Sequence, residues 1–584
     1  MNLLRVKAES CLRLLESTTA PSFTSDINWL NDFCAEFLKL SNAVQIHMGM
    51  QFDYENIEMI CLCSTQIVIC IRHLEQTINL ESASGLRISA SHQHFIERIR
   101  VCLKRMWACF GESSSAQISC VEGASFFQLL DSLLDSLSAF TSFFESTNQH
   151  AENLFDLSKE IKTQIDLLLG QTLSFANVAL QQDKKALSAL CQKVMRDGSA
   201  FQEECQACSS GRNSNYANQK LKALTLESGL SQLETYINEA LLRLVFNCFI
   251  DFQKISVDKI RNILRTEHVA TADEYIADFD VNLDRATQIG VFAIAFAPSL
   301  KLKTLVRSCL ASFEYLDTSL IPSLYANAAD LHSELLEQHY NEEVSKFKCA
   351  IQQIIDSHAM VGCYMQLLAT GIEAAEKHFD KTQLDDLTLM GFIILEHFKP
   401  SVNQKQLTPQ AQENLKKFVT ILRECKAILM CAAQVETQRI LKRFKILRST
   451  LRNLHGCLAA AEKKVDAAPT NAIATSENCA NEGLLINLAA SPTSSILYDT
   501  RRHRNRSLTQ QSMPQAEPFI RAKPSECIRR KQSLRTAMFK RQNIFENHKQ
   551  PSIISSHSAS LEISDILEQL TSLTNSFSAG QQVK

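Results

Sequence analysis

The chain has 584 residues with a formal net charge of −3 at pH 7, and 45% of its residues are hydrophobic. Its 15 glycines and 11 prolines are well below ordinary usage, so long stretches contain no helix breaker. This composition predicts an all-α protein built from tandem antiparallel helical bundles, and it argues against a β-rich fold.

Residues 1–147 are predicted to form an N-terminal helical bundle. Apolar residues recur at helical spacing over about 2–17, 26–50, 54–80, 91–110 and 122–146. His92 and His94, with Glu97, could be metal ligands or could lie in a solvated first helical turn. The Ser89-Ala90-Ser91 stretch before them is typical of a helix start and favours the solvated turn.

Residues 148–268 are predicted to form a second bundle with long helices. A nearly unbroken helical pattern runs from Ala151 to about Ala207, and another long helix follows the polar stretch 209–215. Cys205 and Cys208 form a CxxC pair, but a zinc site needs four ligands, so a helix end is the favoured interpretation. The N-terminus lacks the apolar core of a secretory signal, and we expect free thiols for the twenty cysteines.

Residues 269–400 are predicted to form a third bundle, which begins with an antiparallel helix pair joined near Pro298. Pro322 lies inside the second helix of the pair, where it should kink the helix rather than end it. The most apolar run, Ile289 to Ala297, is under half of the roughly 20 residues that a membrane-spanning helix needs. No segment is therefore predicted to cross a membrane.

The helix pair resembles the vinculin/α-catenin family. The resemblance rests on an ordered set of short motifs: Gln288-Ile289-Gly290-Val291-Phe292-Ala293, Val306-Arg307, Ser312-Phe313-Glu314-Tyr315-Leu316, Ile321-Pro322 and Asn327-Ala328-Ala329. The chain departs from the family at His339-Tyr340, where Trp is common, so a partner site that depends on that Trp does not carry over. Within the family the chain is most similar to an insect protein of the early embryo.

Residues 401–464 are predicted to form a long helix that starts at Pro409 and ends in a basic amphipathic segment. Its apolar residues keep three–four spacing, and six cations cover the remaining surface: Arg439, Lys442, Arg443, Lys445, Arg448 and Arg452. Such a helix can bind anionic lipid or an acidic partner, or it can be the last helix of a bundle with a solvated basic face.

Residues 465–584 are predicted to be a mostly disordered basic tail. Residues 501–549 contain thirteen Lys and Arg against three acids, a net charge of +10, whereas residues 1–500 carry −11. The tail cations assigned to a membrane or partner contact are Arg501, Arg502, Arg504, Arg506, Arg529, Arg530, Lys531, Arg535, Lys540 and Arg541. Ser507 and Ser533 follow basic residues and are candidate phosphorylation sites whose modification would weaken that contact.

No nucleotide-binding, zinc-protease or serine-hydrolase motif occurs in the chain, so we expect no enzyme activity, catalytic residue, metal or cofactor. The family resemblance implies a cytoskeletal adaptor that organises actin filaments at the cytoplasmic face of the plasma membrane, during cellularisation of the insect embryo. The expected partners are actin filaments, directly or through another protein, cytoskeletal and adhesion proteins, and an anionic membrane surface. Nucleic acid is not expected.

The C-terminal region of the chain departs from the vinculin pattern. Vinculin-like proteins bind F-actin through a C-terminal helical bundle, and the residues after Lys464 are too polar and irregular for one, so direct actin binding does not carry over. The alternative function is a helical scaffold or tether for membrane trafficking or cell adhesion without an actin role.

Overall fold

The computed structural model describes residues 2–16, 27–47, 52, 54–111, 125–142, 151–209, 216–266, 269–466 and 568–573. Over these residues all regular structure is helical and no strand occurs. The predicted all-α class is therefore confirmed. Nearly all of the predicted tail, 465–584, lies outside the described residues.

The described α-helices range in length from 5 to 39 residues. The first eight are α1 (Asn2–Glu16), α2 (Ile27–His47), α3 (Tyr54–Ser84), α4 (Ser89–Cys109), α5 (Phe126–Ser142), α6 (Ala151–Val178), α7 (Gln181–Ser209) and α8 (Tyr216–Lys254). Nine more follow in the described residues up to Asp466: α9 (Val257–Arg265), α10 (Val269–Phe296), α11 (Leu300–Ala326), α12 (Leu331–Ile354), α13 (Ser357–Lys377), α14 (Lys381–His397), α15 (Ser401–Lys405), α16 (Pro409–Met430) and α17 (Thr437–Asp466).

The chain divides into two compact units. Unit 1 contains 1–123, 251–354 and 542–584, and unit 2 contains 124–250 and 355–541. Each unit is thus assembled from segments that are distant in the sequence. The five-part division predicted from composition and breaks stays a prediction about which segments fold on their own.

The sequence pattern predicted one long helix over 151–207 and another over 409–464. Both predictions are wrong, because each segment forms a pair of antiparallel helices. The pattern over 151–207 breaks at Ala179-Leu180 into α6 and α7, which pack against each other. The pattern over 409–464 turns at 431–436 between α16 and α17. Neither turn contains Gly or Pro, and reversing the chain lets both apolar stripes bury against each other.

The predicted helix pair at the start of the third segment is confirmed as α10 and α11 in unit 1. Ser299 caps α11 by accepting a hydrogen bond from the Leu302 backbone N–H at 3.3 Å. The helix α11 continues through Pro322, as predicted. Phe313 on this helix is buried beside Phe347 of α12, with ring centroids 5.6 Å apart.

The helix α3 is more apolar than the sequence analysis recognised. Residues 56–84 are long and apolar enough to cross a membrane, with a mean hydropathy of 1.5, and they are the one such stretch among the described residues. Of the most apolar window, 78% is buried inside the protein. Extensive burial of this kind is typical of a core helix of a globular unit.

In unit 2, the helices α13, α14, α16 and α17 form a bundle around Tyr364. This side chain is fully buried, and its hydroxyl donates to the Leu387 carbonyl at 2.9 Å. Gly391 lets α14 come close to its neighbours, because a Cβ at this position would lie 2.5 Å from Leu422 Cδ1 and 2.8 Å from Tyr364 Oη. The bundle orients α17, which carries the candidate surface.

Candidate interaction surface

The helix α17 has one buried apolar face. Ile440, Phe444, Leu447, Leu451 and Leu454 are fully buried, and the helix packs against α13 and α16. The residues recur at three–four spacing, which places them on one side of the helix. The six basic residues predicted as a contact surface therefore lie on the flanks and the outer face; we call them the α17 basic surface.

Two cations of the α17 basic surface are paired with acids from neighbouring helices. Arg443 lies 3.1 Å from Glu424 of α16, and Lys445 lies 2.5 Å from Glu376 of α13. All four side chains are about half exposed, so each ion pair contributes at most about 1 kcal/mol. Their main effect is to neutralise two of the six positive charges.

The other four cations have no ion pair among the described residues: Arg439, Lys442, Arg448 and Arg452. Three of them are exposed, while Arg448 is half-buried and its Nε has no hydrogen-bond partner in the described part of the chain. Unpaired cations attract anions more strongly than cations that already contact a carboxylate. These four are therefore the residues of the surface best able to hold an anionic partner.

Lys445, Arg448 and Arg452 follow one another at helical steps of three and four and line one side of a groove of about 330 Å³. Ile372, Glu373 and Glu376 of α13 line the opposite side. Three cations face two carboxylates here, so the groove is a shallow site of mixed charge. Its shape suits electrostatic contact with a large surface better than enclosure of a small molecule.

The ten tail cations and the two candidate phosphorylation sites, Ser507 and Ser533, lie outside the described residues. The final helical turn, 568–573, is described, and its Leu570 is fully buried. Burial of Leu570 indicates that this turn packs against the chain.

The expectation of a solvated turn at His92 and His94 is wrong. His92 is buried, and its Nε2 donates to Glu81 Oε2 at 3.0 Å, because the short α3–α4 connection brings Glu81 back over the start of α4. His94 is half-buried, and its ring centroid lies 4.4 Å from that of Tyr315. In the part of the chain that the structure describes, no group of three or more His, Cys, Asp or Glu is arranged to hold a metal.

Cys205 and Cys208 lie in the last turns of α7, which ends at Ser209, so the helix-end interpretation is confirmed. Gln219 of α8 donates through Nε2 to Cys205 Sγ at 3.1 Å. Burial raises the pKa of the Cys205 thiol to about 11. Cys205 is thus a neutral packing residue of the α7–α8 contact.

A polar network inside unit 1 was missed in the sequence analysis. Gln66 of α3 donates through Nε2 to Ser308 Oγ at 2.8 Å and to Ser312 Oγ at 3.0 Å, while Arg98 donates to its Oε1. Gln66 follows Ser64 and Thr65 in the middle of the apolar helix α3, and this short polar step was the one available signal. Such a residue requires partners when buried, but its position does not reveal which ones.

Comparisons with known proteins agree with this architecture. The family model described as "Serendipity locus alpha protein" matches residues 1–529. The serendipity locus protein alpha of Drosophila virilis is 36% identical over 476 residues, which cover 78% of this chain and 87% of that protein. Its counterpart in Drosophila subobscura is 37% identical over 449 residues, which cover 73% and 80%.

A solved vinculin homologue from a sponge shows the same fold. It superposes with a TM-score of 0.52 at 12% identity, over 80% of this chain and 59% of its own length. The fold therefore agrees with the predicted resemblance to vinculin. Because the family match spans most of the sequence and the fly proteins exceed 30% identity, the chain belongs to the serendipity locus alpha protein family.

Proposed function

We propose that this chain is a non-enzymatic cytoskeletal adaptor that organises actin filaments at the cytoplasmic face of the plasma membrane during cellularisation of the early insect embryo. The observation that carries the proposal is membership of the serendipity locus alpha family together with a vinculin-like fold. The α17 basic surface supports it, since it offers an exposed contact for an anionic membrane or protein.

The membrane contact is electrostatic. Each Lys or Arg near an anionic leaflet contributes about 1 kcal/mol, and this attraction falls off within a Debye length of about 8 Å. Arg439, Lys442, Arg448 and Arg452 together supply an affinity that is weak and strongly salt-dependent. The tail, with a net charge of +10 over 501–549, adds a second basic segment on the same chain.

Localisation in living early embryos tests the whole proposal. The tagged full-length chain is compared with a version that ends at Val465. We expect the full chain to concentrate with actin at the advancing membrane front, and the shortened chain to spread through the cytoplasm. A diffuse or nuclear distribution of both would contradict the adaptor function.

Sedimentation with purified components distinguishes actin binding from membrane binding. Full-length protein is sedimented with F-actin and, separately, with vesicles containing 30% phosphatidylserine. Arg448→Glu with Arg452→Glu should reduce vesicle binding at least fivefold. It should also make the remaining binding less sensitive to salt, because fewer cations contact the membrane. The matched control, Lys405→Glu with Lys416→Glu, makes the same charge change at exposed positions elsewhere in unit 2 and should bind like the wild type.

A scaffold or tether without an actin role remains the second candidate. It predicts vesicle binding with no sedimentation on F-actin, either alone or in an embryo extract. Nucleic-acid binding that disappears on deletion of 501–549 would contradict both candidates.

A further inference from the structure

Four histidines of unit 1 meet between three helices: His73 of α3, His94 of α4, and His332 and His339 of α12. We call them the histidine cluster. The ring centroids of His73 and His339 are 4.3 Å apart, and those of His94 and His332 are 6.1 Å apart. The ring of Phe95 lies within 6 Å of His73, His94 and His339 and joins the two pairs.

Two of the four histidines are buried and two are half-buried, and three of them have a ring nitrogen without a hydrogen-bond partner among the described residues. The side chain of His73 is fully buried and His339 is 4% exposed. His73 donates through Nδ1 to Gln76 Oε1 at 2.8 Å, but its Nε2 and the Nε2 of His94 have no partner among the described residues. His339 lacks a partner at both ring nitrogens. A buried polar group without a partner destabilises the closed unit, so packing alone does not account for this choice of residue.

The charges that face the cluster oppose protonation of His94 and His339, whereas the largest charge contribution at His73 and at His332 favours it. Arg72 on α3, Arg98 on α4 and Lys346 on α12 repel a proton, whereas Glu342 and Asp330 attract one. Glu342 lies 3.9 Å from His73 Nε2, and the neighbouring Glu343 already binds Lys346. From α11 the cluster faces Tyr315, whose hydroxyl donates to the His94 carbonyl at 3.0 Å.

Burial is the largest contribution at each histidine. It lowers the pKa of His73 to about 4 and that of His94 to about 3, and it also lowers the pKa of His332 and of His339. The four rings are therefore neutral while the helices are closed. Protonation of one ring would also repel a proton from its neighbour.

We propose that the histidine cluster is a proton-sensitive latch that holds α12 against α3 and α4 near neutral pH and releases it on acidification. Opening exposes the imidazoles to water, where they take up protons that the closed interface excludes. This regulation of unit 1 is independent of the α17 basic surface, which belongs to unit 2.

The expected change in the opening equilibrium follows from the difference between the pKa of each histidine in the open and the closed state. A histidine whose pKa is 6.5 when exposed and about 4 when buried favours the open state once the pH falls below 6.5. Between pH 7.5 and pH 5.0 each such histidine raises the opening equilibrium roughly 25-fold. His73 and His94 together should raise it by a few hundred-fold.

Hydrogen exchange on the full-length chain measures this opening directly. Protection of α12 peptides is compared at pH 7.5 and pH 5.0, after correction for the intrinsic exchange rate. We expect protection of α12 to fall at least a hundredfold at pH 5.0. His339→Phe keeps an aromatic ring and removes both unpaired nitrogens, so it should retain protection at pH 7.5 and reduce the acid-induced loss at least tenfold.

The control is His455→Gln in α17, which removes a half-buried histidine of unit 2 and should leave the α12 response unchanged. His94→Gln, at a half-buried position, provides a second test that does not depend on the folding of His339→Phe. A change of less than twofold in the wild type, or the same acid response in the wild type and in both cluster variants, would overturn the proposal.

Discussion

Two helix interfaces, one in each unit, are stabilised by different means. In unit 1, α3 meets α11 through buried hydrogen bonds from Gln66 to Ser308 and Ser312. In unit 2, α14 meets its neighbours through apolar contacts around Tyr364 and Gly391. A polar interface fixes one register because every group must find its partner, whereas an apolar interface depends on volume and close approach. The following predictions test this contrast.

The largest effect is expected in the apolar interface. Tyr364→Ala removes a fully buried aromatic ring and should lower the stability of unit 2 by about 4 kcal/mol. Hydrogen-exchange protection of α13 and α14 peptides measures the loss. Tyr364→Phe is the control: it removes only the hydrogen bond to Leu387 and should cost about 1 kcal/mol. Equal losses in the two variants would show that the hydroxyl, not the ring, dominates.

The polar interface should respond less strongly. Gln66→Leu leaves Arg98 and two serine hydroxyls with fewer partners and should destabilise unit 1 by about 2 kcal/mol. Urea unfolding followed by tryptophan fluorescence reports on this unit, because both tryptophans of the chain, Trp29 and Trp107, lie in it. Adding Ser312→Ala to Gln66→Leu should recover part of the lost stability. A cost below about 0.5 kcal/mol for Gln66→Leu alone would show that these hydrogen bonds do not fix the register of α3 against α11.

Acid should act on unit 1 through His73. Its pKa is lowered to about 4 in the folded state, so the stabilisation is complete above the unfolded value of 6.5 and is lost as the pH falls from 6.5 towards 4. Between pH 7 and pH 5 this histidine should account for about 2 kcal/mol of lost stability. Measured by the same fluorescence method, the stability of His73→Gln should fall by about 2 kcal/mol less than that of the wild type between pH 7 and pH 5. An equal fall in the variant and the wild type would exclude His73 as the source.

The smallest effect is expected at the rim of unit 2. Lys445→Ala removes an ion pair with Glu376 whose side chains are 58% and 42% exposed, so the cost should be below about 0.5 kcal/mol. Protection of α17 peptides should stay within twofold of the wild type. A larger loss would mean that this pair positions α17 in addition to neutralising charge.

The spacing of apolar residues along the sequence predicted that helices form, and it predicted the buried face of α17, where Ile440, Phe444 and Leu447 recur at steps of three and four. It did not predict the turns at 179–180 and 431–436, where no Gly or Pro marks the reversal and tertiary burial decides. The reason is that breakers act locally, whereas the packing of α6 on α7 and of α16 on α17 becomes visible only in three dimensions.

The candidate surface was predicted in part. The sequence shows six cations without a nearby acid, but Glu376 and Glu424 reach two of them from other helices. Likewise, the two serine partners of Gln66 lie 242 and 246 residues away. Contacts of this range depend on topology, and no periodicity within one helix encodes them.

The close approach at Gly391 has a consequence for how this family can diverge. Because Leu422 Cδ1 and the Tyr364 hydroxyl occupy the space that a Cβ would need, a larger residue at 391 requires a smaller one opposite it. The two positions form a compensating pair, in which the first substitution alone is harmful and the second restores packing. Relatives that carry Ala or Ser at the position of Gly391 should therefore carry a shorter side chain at the position of Leu422. Such covariation would show that the distance between α14 and α16 is kept within the family.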